Sequence, residues 1–79
     1  MAHRIKIYTT PACAHCREAK RYFAEKGVEY EELDVAANAK ARIEMFGIAR
    51  TRSVPVIVVD GQVFVGFEEN LSRIAQLIG

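Results

Sequence analysis

Tryptophan is absent from the 79 residues, and cysteine and proline occur only twice each. Two cysteines are too few for the disulfide framework that small secreted chains use in place of a large core. The scarcity of proline and glycine, beside 51% hydrophobic residues, excludes collagen, low complexity and disorder. Charge of one sign is not in excess either: eleven basic residues face ten acidic ones, for a formal net charge of +1. Nucleic-acid binders carry a basic excess or stripe, so no nucleic-acid partner is expected. Long apolar runs are missing too. The longest, residues 54–59, contains Pro55 and falls far short of the ~20 residues that cross a bilayer, so no membrane partner is expected. Residues 1–6 run directly into an alternating pattern without the apolar core of a signal peptide, and a cytoplasmic location is the expectation. One small domain, residues 1–79, and a monomer are expected at this length.

What is present is a regular succession of hydrophobic periods. Residues 4–8 predict a strand with Ile5 and Ile7 on one face. Residues 13–26 predict a helix burying Cys16, Ala19, Tyr22 and Phe23, with Gly27 as its left-handed stop. Residues 28–33 predict an acidic edge strand. A second helix is expected over residues 37–46, with Ala39, Ile43 and Phe46 inward and Gly47 just past its end. Residues 55–59 form an unbroken β-branched run, the mark of a central strand covered on both faces. Asp60-Gly61 predicts a hairpin returning through residues 62–65. A last helix begins near Glu68 or Asn70 and buries Leu71, Ile74, Ala75 and Ile78. The order is βαβαββα. A right-handed crossover makes the first two strands parallel and the hairpin makes the last two antiparallel, giving an α/β fold, a three-layer α/β/α sandwich around a four-stranded mixed sheet.

The chemistry-bearing element is Cys13-Ala14-His15-Cys16, between the first strand and the first helix. Positions i and i+3 of a helix share a face, so the two thiols can reach disulfide distance with little backbone movement. Cys13 stands at the helix entrance, where free N–H groups and the positive dipole end favour a thiolate; it is the expected nucleophile. Cys16, one turn further on the core side, is the expected resolving thiol. A metal site remains the alternative: two soft thiolates suit Cu(I), and Cys13, Cys16, His3 and His15 are the Zn(II) donors the chain offers. A c-type haem attachment would need histidine where Arg17 stands. No tightly bound cofactor is expected. His15 is either a solvated helix residue or, when protonated, a charge that favours the Cys13 thiolate and makes the couple more oxidising. Pro55 opens the central strand. A cis Val54-Pro55 bond, accessible because X-Pro bonds alone adopt cis at small cost, would turn the Val54 backbone outward to pair with an extended substrate.

These residues resemble the glutaredoxin family, a compact branch of the thioredoxin superfamily. Ile7-Tyr8-Thr9-Thr10 before the cysteine pair, Lys26-Gly27-Val28-Glu29-Tyr30, Ser53-Val54-Pro55-Val56-Ile57 and Val65-Gly66-Phe67 fall in the family's order and spacing, so the resemblance covers nearly the whole chain. It implies a thioredoxin-like fold, a cis Pro55 facing the dithiol, and thiol–disulfide exchange with disulfide-containing proteins. Tyr8, Cys13, Cys16, Val54 and Pro55 fall on matching positions. Thr10, Arg52, Gly66, Phe67 and Glu69 are the further candidates for substrate or glutathione contact, and Arg50 and Arg52 are either carboxylate grips or solvated surface arginines. The chain departs from the family where Ala14-His15 replaces proline-tyrosine, where Thr10 replaces lysine, and where Gly66-Phe67 and Glu69-Asn70 replace a glycine pair and an acidic pair. Gly66-Phe67 is similar to the glutaredoxin-like hydrogen donors of ribonucleotide reductase. The implied reductant is therefore glutathione, as co-substrate, or thioredoxin reductase.

Overall fold

The computed structural model describes residues 3–78. Four strands, β1 (Ile5–Thr9), β2 (Glu31–Asp34), β3 (Val56–Val59) and β4 (Gln62–Val65), form one sheet in the order β2-β1-β3-β4. β1 runs parallel to β2 with Tyr8 opposite Leu33, antiparallel to β3 with Ile7 opposite Ile57, and β3 runs antiparallel to β4. Helices α1 (Ala14–Glu25), α2 (Ala39–Ala49) and α3 (Leu71–Ile78) complete the expected βαβαββα order, with a single 3-10 turn, Glu68–Asn70, ahead of α3. No helix among the described residues is long and apolar enough to cross a membrane.

Strand alternation divides the core between the two sheet faces. Ile5, Ile7, Ile57, Val59 and Phe64 meet Ala19 and Phe23 of α1 and Ile74 of α3 on one face, joined by Phe67. On the other, Tyr8, Val35 and Val56 meet Ala41 and Met45 of α2. The sandwich is therefore three layers deep, as expected. α1 ends in a Schellman arrangement: the Val28 N–H donates to Phe23 O and the Gly27 N–H to Ala24 O, with Gly27 at φ +69° as the expected left-handed stop. Asp60 and Gly61 both take positive φ in the β3–β4 turn, which the right-handed strand twist favours.

The structure corrects expectations on α2, β2 and β3. The inward face of α2 is Ala41 and Met45, whereas Ala39, Ile43 and Phe46 are exposed. Apolar residues occupy positions 41, 43, 45, 46, 48 and 49, so periodicity alone offers two faces. The narrower one packs because Ala41 lets the backbone approach the sheet and the flexible Met45 fills what remains. Nor does Gly47 stop the helix. It stays inside, and Arg50 takes the left-handed cap at φ 55°, donating its N–H to Phe46 O. β2 is also shorter than expected, starting at Glu31; Val28 and Tyr30 pack on the core from the preceding loop. In the β3 run Val58 is only half-buried.

Three carboxylates tie the elements together. Glu44 of α2 accepts the Tyr8 hydroxyl of β1, Glu32 of β2 accepts Lys20 Nζ of α1 at 2.8 Å, and Asp60 accepts His3 Nδ1 at 2.7 Å. Hydrogen bonds from these partners hold all three carboxyls below their ordinary range. A carboxylate depressed on folding stabilises the protein above its unfolded pKa, about 3.9–4.3, and that contribution is lost as pH falls through the folded value. The urea midpoint should therefore fall between pH 6 and pH 3. In Glu44→Gln protein the fall should be smaller, which denaturation at both pH values checks.

Candidate active site

The site begins at a local capping decision. Thr10 O accepts the Cys13 N–H at 3.2 Å, closing a turn through Pro11 that delivers Cys13 to the N-cap of α1 in extended conformation. In this position the Cys13 sulfur accepts the Cys16 N–H at 3.1 Å. A thiol thus does the work usually given to a serine or aspartate oxygen, and one free donor of the helix end points at sulfur. The Cys13 thiol also lies 3.8 Å from Val54 O, toward which it donates. The Val54-Pro55 bond is cis, Pro55 is buried, and Pro55 O accepts the Gly66 N–H at 2.9 Å. Cys13, Cys16, Val54, Pro55 and Gly66 are thereby assembled from three separate stretches of sequence.

The two free thiols occupy different environments. Cys13 is half-buried and reachable, whereas Cys16 is 1% exposed. Burial, with the hydrogen bond to Cys13 second, pushes the Cys16 thiol up to about 12; a hydrogen bond from the Thr10 backbone and the charge of Lys20 act in the opposite direction. Lys20 lies one turn beyond Cys16 on α1. Its ammonium is held by Glu32, whose carboxylate also accepts the buried Thr9 hydroxyl at 3.1 Å. Lys20 and Glu32 were not singled out from sequence. The i, i+4 spacing from Cys16 was the available signal for Lys20.

The remaining candidates fall at varied distances from the dithiol chemistry. His15 is exposed on the first turn of α1, with Nδ1 3.8 Å from the Glu18 carboxylate and 3.7 Å from that of Glu68. This trio is the cluster of potential metal donors among the described residues, and neither cysteine belongs to it. Thr10 is half-buried beside Cys13, to which its carbonyl is bonded. The Glu69 carboxylate lies over the Cα of Gly66, whose φ of +91° favours glycine, and Asn70 Nδ2 caps the carbonyls of Val65 and Gly66 at 2.8 and 3.0 Å. Phe67 turns into the core against Tyr22, with ring centroids 5.6 Å apart. Tyr8 lies in the α2 layer, its hydroxyl spent on Glu44; burial and that hydrogen bond raise its pKa. Arg52 is exposed, its guanidinium 5.9 Å from the Phe46 ring centre.

Comparison with known proteins agrees with this arrangement. Residues 5–64 match the family model described as glutaredoxin. A glutaredoxin-like 8.6 kDa protein in the rubredoxin operon of Clostridium pasteurianum is 40% identical over 74 residues, covering 94% of this chain and 96% of its own. A thioredoxin-like protein of known crystal structure is 36% identical with a TM-score of 0.84, over 92% of this chain and 97% of that one. The glutaredoxin-like NrdH-redoxin of Escherichia coli superposes with a TM-score of 0.76 at 25% identity, over 90% and 92% of the two chains. With the thioredoxin-like fold, a dithiol at a helix entrance and a cis-proline turn beside it, the chain belongs to the glutaredoxin family.

Proposed function

We propose that the protein is a dithiol thiol–disulfide oxidoreductase in which Cys13 attacks and Cys16 resolves. The Cys13 thiolate displaces one sulfur of a substrate disulfide, forming a mixed disulfide and releasing the first substrate thiolate. Cys16 loses its proton and attacks Cys13 Sγ, forming the Cys13–Cys16 disulfide and releasing the second thiolate. Two electrons have then passed from the protein to the substrate, and an external dithiol or two molecules of glutathione restore the reduced pair. The observation that carries this reading is the division of labour at the helix entrance: a reachable sulfur that accepts a backbone N–H, above an enclosed thiol one turn away. Val54 supports it by presenting its carbonyl beside the Cys13 sulfur, where the backbone of an extended substrate can pair.

The substrates in this reading are disulfide-containing proteins or glutathione mixed disulfides, and the donor is glutathione or thioredoxin reductase. The departures at Thr10 and Gly66-Phe67 favour the second donor. Reduction of a small disulfide with glutathione plus its reductase, set beside thioredoxin reductase plus NADPH, decides between them. No turnover in either system would refute the oxidoreductase reading.

His15 tunes the couple. When protonated, its charge, partly offset by the Glu18 and Glu68 carboxylates at 3.8 and 3.7 Å, acts on the reduced side only, where the thiolate is charged, and raises the potential. Removing it by His15→Tyr should therefore lower the potential by about 20–30 mV, read from equilibrium with a thiol redox buffer. An unchanged potential would leave Cys13 to the helix dipole and the Cys16 N–H alone.

A further inference from the structure

The outer face of α2 carries apolar residues that the fold does not use. Ile43 is 71% exposed and Phe46 48%, on a helix whose other side already fills the core. Together with Arg42, Thr51 and Arg52 they line a groove of about 430 Å³. Apolar side chains left in water beside a concavity mark a surface that is covered in use. The groove's charge is of one sign. Its charged lining residues are both arginines, and both are positioned: Arg42 Nη1 donates to Val35 O at 3.2 Å, and the Arg52 guanidinium lies over the Phe46 ring. Such a surface matches an apolar side chain flanked by carboxylates.

The groove also lies next to the dithiol. Arg52 precedes Val54 by two residues, so their Cα atoms are no more than about 7 Å apart. The Val54 carbonyl in turn lies 3.8 Å from the Cys13 sulfur. An extended chain paired along Val54 would reach the groove with a side chain roughly two to five residues from its reacting cysteine, at about 3.3 Å per residue.

We propose that this groove receives the segment flanking the cystine of a protein substrate, one that carries an apolar side chain between acidic residues. The proposal rests on the oxidoreductase reading for the identity of the partner, but its test does not depend on turnover. Two peptides of about eight residues serve as probes, one with leucine between two glutamates and one with leucine between two lysines, both with alanine in place of cysteine. The acidic peptide should bind at least about tenfold tighter and lose affinity as salt is raised. It should shift the backbone amide signals of Ile43, Phe46 and Arg52. In the doubly charge-reversed Arg42→Glu, Arg52→Glu protein the preference should invert. Equal affinities, or shifts confined to other surfaces, would overturn the proposal. So would self-association of the protein abolished by the same charge reversal, which would assign the groove to a second copy. Turnover of cystine versions of the two peptides, beside a small symmetric disulfide, reports separately on the chemistry: a reduced small disulfide with no flank preference in binding retains the oxidoreductase reading and rejects the groove.

Discussion

Mixed with a disulfide substrate, Cys16→Ser protein should accumulate a covalent adduct on Cys13, while Cys13→Ser protein should form none and its turnover should fall to background. The expectation follows from the different surroundings of two thiols three residues apart. With burial pushing its pKa up to about 12, Cys16 holds its proton at pH 7. It cannot compete for an external disulfide, and burial denies that disulfide access in any case. Cys13 is reachable and is the thiol at the helix end. In the mixed disulfide the sulfur to be attacked is held within the same helical turn as Cys16, and this proximity replaces a high thiolate fraction. Serine at position 16 removes the attacking group and leaves the adduct stable. Mass spectrometry of the adduct and iodoacetamide mapping of the reduced protein provide the check. Alkylation of Cys16 in preference to Cys13 in the folded protein would reverse the assignment. The same burial makes the reduced protein sensitive to alkali: above about pH 8.5 the unfolded chain gives up the Cys16 proton while the folded one retains it, so stability falls as pH rises.

Phe23→Ala should lower the urea midpoint more than any surface substitution does. Phe23 has no exposed surface, and its ring meets Tyr22 edge-on at 5.5 Å and Tyr30 at 6.1 Å within the larger of the two core clusters. Truncating a buried phenylalanine costs about 3–5 kcal/mol. A chain of 79 residues has a total stability of roughly 4–12 kcal/mol at 0.05–0.15 kcal/mol per residue. One substitution therefore consumes about a quarter or more of it. Phe23→Leu, which keeps much of the volume, should cost about 1–2 kcal/mol and remain measurable by urea denaturation. A loss below about 1 kcal/mol for the alanine variant would mean that the core collapses around the vacancy.

The residues that announced the fold did so through local signals. Asp60-Gly61 specified its hairpin, Gly27 its helix stop, and the cysteine pair its helix entrance. The choice between two apolar stripes on α2 carried no such signal, because Ala41/Met45 and Ile43/Phe46 both satisfy a helical period and only the distance to the sheet separates them. Arg50 at a left-handed cap was equally hidden, since glycine three residues earlier offered the cheaper stop. At the site, spacing alone paired Cys13 with Cys16. The approach of Val54 to Cys13 spans 41 residues of sequence and came into view through the family resemblance rather than through any pattern in the chain. That Tyr8 turns to Glu44 followed from which sheet face its strand position occupies, a question decided by register.

The seam between β1 and β3 sets the timetable of synthesis. Lys6 pairs with Val58, so the first strand made waits some fifty residues for its neighbour, and Ile74, which closes the same core face, arrives later still. A nascent chain lacking them has no antiparallel partner for β1 and leaves most of that apolar face in water. Cooperative closure at such long sequence separation is delayed until β3 and Ile74 have left the ribosome. During that interval Cys16 lacks the core that covers it in the folded protein, so both thiols are open to oxidants or to a wrong partner. Their inequality is a product of core closure, and a polypeptide stalled before it would be a dithiol with both sulfurs exposed.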